Sequence, residues 1–359
     1  MTANTAEYSA INSSKVYGRS SERLDSLDIL RGICAISVAV YHYFIWSFPD
    51  NSNYTNGIIS VFGIYGVSIF FALSGYSLAH GYGERFSQAL SPKNFIAYAK
   101  RRAGRIFPLF FLAIIASIAG KVISGKAPPE IFEILSNIFL VFGFVDPSRT
   151  PVIGGWSIGI EIVFYTIFPI LILMRKHIII ALILSMLFMA IIANDIGKIG
   201  NIDEGWSNYV HPSNHILFFA SGVFFRQFLY RKEIIFSKNP LFAIFVIVFF
   251  IWIVSQDQNV DEIVIGHKRI ALSVLSVLIV MYASYIKLPK SASKFSSMMG
   301  GLSYPFYLFH PLVFFASSQI IGIDYKAIPI LLIMALTCAT AIDLAIDRPI
   351  QRRIKAVGW

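Results

Sequence analysis

Long apolar stretches separated by short polar or charged intervals repeat along the whole chain, and this alternation predicts a bundle of membrane-spanning helices. The stretches are 27–46, 58–80, 104–124, 131–145, 156–174, 177–193, 213–230, 240–255, 270–286, 301–322 and 327–346. About 20 apolar residues form a helix that crosses a hydrocarbon core roughly 30 Å thick. Segment 131–145 is the shortest and follows Pro128-Pro129. As a helix it would reach only about 22 Å.

Charge decides how that segment is read. Cytoplasmic loops carry an excess of Lys and Arg. If 131–145 does not span, 22 Lys and Arg fall inside and 7 outside; if it spans, the split is 14 to 15 and the bias vanishes. The expected fold is therefore all-α, a polytopic integral membrane helical bundle of about ten transmembrane helices. Segment 131–145 is re-entrant or lies at the outer face, and both termini are cytoplasmic. Residues 1–23 are polar and Ser-rich without an apolar core, so they read as a cytosolic tail rather than a signal peptide. Residues 24–350 form the membrane domain, and 351–359 a basic cytosolic tail.

Composition agrees. Apolar residues make up 56% and charged residues 14%, against roughly 45–50% and 25% in soluble domains. The net charge of +10 would suit nucleic acid, but topology accounts for it and no nucleic-acid partner is expected. Cys34 and Cys338 both lie in apolar segments, which argues against a disulfide framework or a zinc site. No polar stretch is long enough to fold as a separate soluble domain. The acidic, polar outer loops 194–212 and 256–269 are the candidate substrate-contacting variable parts, or else plain solvated loops.

Against this background the ionisable residues inside apolar segments stand out, because a charge in hydrocarbon is costly and marks a functional site by default. Arg31 and His42 share the first stretch. Their separation of eleven residues is only about 20° past three full turns, so both project from one face, about 16 Å apart along the axis. The bland alternatives are an arginine snorkelling to the interface and a packing histidine. At the start of 104–124, Arg102 and Arg105 stand three apart and project from one side of a turn. Such paired guanidinium forks match phosphate oxygens, or else they anchor the loop on anionic lipid.

Ser157, Glu161 and Tyr165 recur every fourth residue, a polar stripe on an otherwise apolar helix. Glu161, about 7 Å below the outer interface, needs a partner or a water-filled cavity. In Tyr304-Pro305-Phe306-Tyr307-Leu308-Phe309-His310-Pro311 the prolines free backbone carbonyls that something must re-satisfy; His310 near mid-membrane is functional, or it caps one of them. The run Phe70-Phe71-Ala72-Leu73-Ser74-Gly75 carries a small Ser-Gly step of the kind that lets helices pack closely.

Together these pieces, in this order from about residue 24 to 350, resemble the membrane acyltransferase-3 family. Leu27-Asp28-Ile29-Leu30-Arg31-Gly32 with His42, the Phe70–Gly75 run, Arg102/Arg105/Pro108, Trp156-Ser157 with Glu161-Phe164-Tyr165, and Tyr307–Pro311 carry the resemblance. It implies a cytoplasmic acyl-CoA donor, acetyl-CoA above all, and an acceptor glycan or glycolipid at the bacterial surface. The family's essential arginine and histidine fall on Arg31 and His42, and its basic pair on Arg102 and Arg105. Arg102, Arg105 and Ser74 are thus expected on the donor side. Glu161 and His310 are expected to line the acceptor side, with His42 and Arg31 at the reacting centre and no metal. Some relatives carry an extra esterase-like domain, so here the membrane part is expected to complete the transfer. The reading is an inner-membrane O-acyltransferase working in the lipid bilayer; the alternative is a secondary transporter, whose pathways also use buried Arg, His and Glu.

Overall fold

The computed structural model describes residues 24–48, 57–88, 90–200, 202–229, 244, 248, 249, 251, 252, 260–318, 320, 321 and 325–356. The expected span 240–255 falls almost wholly outside these residues, as do the tail 1–23, loop positions 256–259 and the last three residues of the basic tail. Every regular element among the described residues is helical.

Among the described residues, seven helices are long and apolar enough to cross a membrane. They are α1 (Asp25–Ser47), α2 (Ile58–Gln88), α3 (Pro92–Ile123), α6 (Trp156–Leu173), α7 (Ile178–Ile199), α11 (Gly266–Tyr285) and the continuous Ala327–Ile354. This last comprises α13 (Ala327–Ile342), a π-helical turn Asp343–Asp347 and the start of α14 (Arg348–Ala356).

Two other expected spans take different forms. Stretch 213–230 is α9 (Pro212–Phe224), of 13 residues, running into a π-helical turn Phe225–Leu229. Stretch 301–322 lies mostly in α12 (Ser293–Ser317), which is 25 residues long but carries buried Ser296, Ser303 and His310 and two prolines. A helix enclosed by others needs less apolar surface than one facing lipid, and α12 is so enclosed, packing most extensively on α1. Segment 131–145 breaks into α4 (Ile131–Ile138) and α5 (Phe142–Val145). Between them Leu140 takes φ 57°, so neither half crosses as one helix. The short α8 (Trp206–Tyr209) and α10 (Val260–Ile263) cap connections.

The arrangement follows from burial. In α7 the side chains of Ile179, Ile183, Leu187 and Ile191 are exposed, an apolar surface that suits lipid. In α2 nearly every side is buried, including Ser68, Leu73 and Tyr76. It sits at the centre against α1, α6, α9 and α11.

Helices α2 and α9 cross closely. A Cβ on Gly75 would stand 2.1 Å from the Phe219 carbonyl oxygen, and one on Gly222 would stand 2.1 Å from that of Ala72. Backbone cannot yield as a flexible side chain does. Gly222→Ala is therefore expected to destabilise the protein by about 1–3 kcal/mol, read as a lower melting temperature in detergent. Gly81→Ala, with nothing within 4 Å of its Cβ, should leave it unchanged; equal effects would refute the close crossing.

Helix α3 corrects one expectation. Its N-cap is Ser91, whose side chain accepts from the Asn94 N–H at 3.2 Å, and Pro92 opens the first turn. The helix thus begins well before residue 104. Arg102 and Arg105 lie inside it, several turns from its start, where its apolar stretch begins. Polar residues 92–101 hid that start, because Lys and Arg hold a helix as well as Leu does.

Candidate active site

Helices α1, α2, α3, α6 and α12 enclose a cavity of about 350 Å³. At one end are three guanidinium groups, those of Arg31, Arg102 and Arg105. Glu161 faces the same space, and Ser157 and Tyr307 line it further along.

Each group is held by a specific neighbour. Arg31 Nη1 donates to Asp28 Oδ1 at 2.6 Å, one turn earlier on α1, and its Nη2 donates to Ser77 Oγ. The pair is partly buried, so it is shielded from bulk water. Close approach of α12 helps fix it, since a Cβ on Gly300 would meet the Asp28 carboxylate at 2.6 Å. Arg102 lies between two aromatic rings, its guanidinium carbon 5.5 Å from the Tyr82 centroid and 5.7 Å from that of Tyr165. Its Nη2 reaches Tyr82 Oη at 3.4 Å, while its Nε is buried without a hydrogen-bond partner. A buried donor left unmatched costs stability unless a ligand completes it. Cation–aromatic contact orients the fork without consuming its donors.

The stripe on α6 behaves as its spacing predicts. Glu161 Oε1 accepts from Tyr165 Oη at 2.5 Å and from Ser74 Oγ at 2.9 Å. All three members, Ser157, Glu161 and Tyr165, line the cavity. Ser74 lines it too, but what it grips is the Glu161 carboxylate. Beyond Glu161 the Tyr307 and Ser157 hydroxyls are 2.9 Å apart, and both reach the Gly154 carbonyl.

The two histidines form a separate unit. His42 Nδ1 and His310 Nε2 are 2.9 Å apart, joining α1 to α12. The His42 ring stacks on Trp46 at 4.7 Å with 7° between planes. Tyr43 Oη donates to the His310 carbonyl at 3.0 Å. Neither histidine lines the cavity. Tyr307, ring centroid 6.0 Å from that of His310, stands between the two units. Thus Glu161, expected beside His310, sits with the arginines, while His310 sits against His42.

Over residues 24–344 the chain matches the family described as an acyltransferase domain. The chain belongs to the acyltransferase-3 family. Its motifs occupy the enclosed faces just described, and nothing in the match supports the transporter alternative.

Among curated relatives, the Bacillus subtilis (strain 168) protein named "Putative peptidoglycan O-acetyltransferase YrhL" is 29% identical over 173 residues, covering 43% of this chain and 24% of YrhL. Acyltransferase MdmB of Streptomyces mycarofaciens is 28% identical over 160 residues, 41% of this chain and 39% of MdmB. Protein 2 in the picA locus of Rhizobium radiobacter is 33% identical over 95 residues, 26% of this chain and 43% of that protein. These matches span less than half the length of each relative. No solved structure matches the chain.

Several residues of this chain escape sequence reasoning. Ser77 and Tyr82 look like ordinary membrane-helix residues, and the approach of α1 and α3 brings Arg31 and Arg102 to them. Arg269, read as an outer-loop cation, is wholly buried. Its guanidinium lies 5.4–5.9 Å from the rings of Phe218, Tyr65 and Tyr209, and its Nη2 donates to the Asn214 carbonyl at 3.3 Å. No sequence signal could have found that cage, which four distant segments assemble.

Proposed function

We propose that this acyltransferase moves an acyl group, acetyl first, from acyl-CoA on the cytoplasmic side of the bacterial inner membrane to a hydroxyl of an exported or surface glycan. The observation that carries this reading is the cavity with three guanidinium groups at one end and the His42–His310 pair beyond the other. A donor with a polyanionic head and a long, slender thioester arm has that charge profile. Arg31 and His42 are about 16 Å apart by helix rise, a distance on the scale of an extended phosphopantetheine arm.

In this mechanism Arg102 and Arg105 hold phosphate oxygens, and the open Arg102 Nε donor is completed by one of them. Arg31, fixed by Asp28 and Ser77, orients the donor. Glu161, held by Ser74 and Tyr165, positions polar groups along the passage. His42 takes the proton from the acceptor hydroxyl; an imidazole suits this because its ordinary pKa lies near working pH. The freed oxygen attacks the thioester carbonyl carbon and the C–S bond breaks. The departing thiolate takes the proton from His42, leaving an O-acyl ester and CoA thiol.

The acceptor is tested by mass analysis of surface glycans from a strain lacking the gene. The expected result is loss of the mass of one acetyl group from a defined sugar, restored by the wild-type gene. An unchanged glycan profile, with normal acetylation throughout, would contradict a glycan acceptor.

A further inference from the structure

Pro311 has no N–H to give the carbonyl of Tyr307, four residues earlier, so that carbonyl is released from the helix ladder of α12. The released oxygen is taken up by His310, whose Nδ1 lies 2.7 Å from it, with the Phe306 carbonyl at 3.3 Å. A carbonyl oxygen only accepts, so His310 Nδ1 carries a proton.

In the neutral ring the other nitrogen, Nε2, then has a bare lone pair. It is this Nε2 that lies 2.9 Å from His42 Nδ1, and a lone pair there requires a donor. His42 Nδ1 therefore carries a proton too, and His42 Nε2 is left unprotonated. Stacking on Trp46 fixes the plane of the His42 ring, and the Tyr43 hydroxyl pins the His310 backbone.

We infer that His310, set by the proline-released carbonyl of Tyr307, is a positioning residue that locks His42 in the tautomer whose Nε2 is free to take a proton. The inference rests on His42 being the reacting group proposed above. The tautomer of an imidazole is set by what its other nitrogen bonds. Here a neutral histidine does for His42 what a carboxylate does elsewhere, without placing a second charge inside the bundle. It also explains why the sequence His310-Pro311 is useful as a unit. The proline creates the acceptor that orients the histidine preceding it.

The test uses membranes containing the full-length protein, with radiolabelled acetyl-CoA as the probe and label in the membrane and glycan fraction as the rate. His310→Ala is expected to lower the maximal rate about a hundred-fold or more, the scale on which a wrongly tautomerised catalytic histidine fails, with KM for acetyl-CoA unchanged. His310→Gln, whose amide can donate to the Tyr307 carbonyl and accept from His42 together, should restore most of the lost rate.

In protein labelled with ¹⁵N at histidine, the His42 Nε2 resonance should be of the unprotonated type in the wild type, and His310→Ala should lose that single state. A full rate for His310→Ala beside an inactive His42→Ala would overturn the positioning role while leaving His42 as the base. Activity in His42→Ala would overturn both. A protonated His42 Nε2 in the wild type would overturn the inference even if His310→Ala failed to fold.

Discussion

His42→Ala is expected to abolish acyl transfer while leaving the protein folded and inserted in the membrane. The side chain is half-buried and among the described residues its hydrogen bond is to His310, so its removal empties one ring's volume without orphaning a charge. Removing a general base typically costs 10²–10⁴ in rate, and more if the imidazole also carries the acyl group in passing. Protein level and melting temperature near wild type, with no detectable glycan acetylation, is the predicted pattern. Substantial acetylation by a well-expressed variant would remove His42 from the reacting centre.

Arg102→Ala should act mainly on the apparent affinity for acyl-CoA. Its proposed partner is a phosphate remote from the reacting carbonyl, and uniform binding of that kind appears in KM rather than kcat. A lost charge-assisted bond costs about 1.5–3 kcal/mol, or roughly a ten- to hundred-fold rise in KM. Arg102→Lys should recover only part of this, because an ammonium lacks the planar fork and its open Nε donor. A normal KM with reduced protein level would instead make the packing against Tyr82 and Tyr165 the whole role of the residue.

What the sequence makes legible divides along a physical line. Periodic features survive folding: the Ser157–Glu161–Tyr165 stripe faces one cavity, whereas on α1 Arg31 reaches that cavity and Ser77 of α2 while His42 reaches His310 of α12. Local partners also survive, as with Asp28 and Arg31 one turn apart. The Gly75 step packs closely, as small residues in membrane helices do. The span count is less legible, because hydropathy measures exposure to lipid and α12 is shielded from it by its neighbours. The basic run around Arg102 carries a second ambiguity: charged residues mark a membrane boundary or an enclosed polar cavity equally well. Contacts between distant segments, such as Ser74 with Glu161 or His42 with His310, leave no trace in either sequence neighbourhood. They depend on helix crossings that only the folded chain specifies.

The proposed function requires that this bundle cleave an acyl thioester with His42 as the reacting group. The most direct measurement is release of labelled acetate or transferred acetyl from radiolabelled acetyl-CoA by the purified protein in detergent, compared with His42→Ala. The wild type should show protein-dependent cleavage and the variant none above background. Absence of cleavage by folded wild type, or equal cleavage by both proteins, would overturn that role of His42.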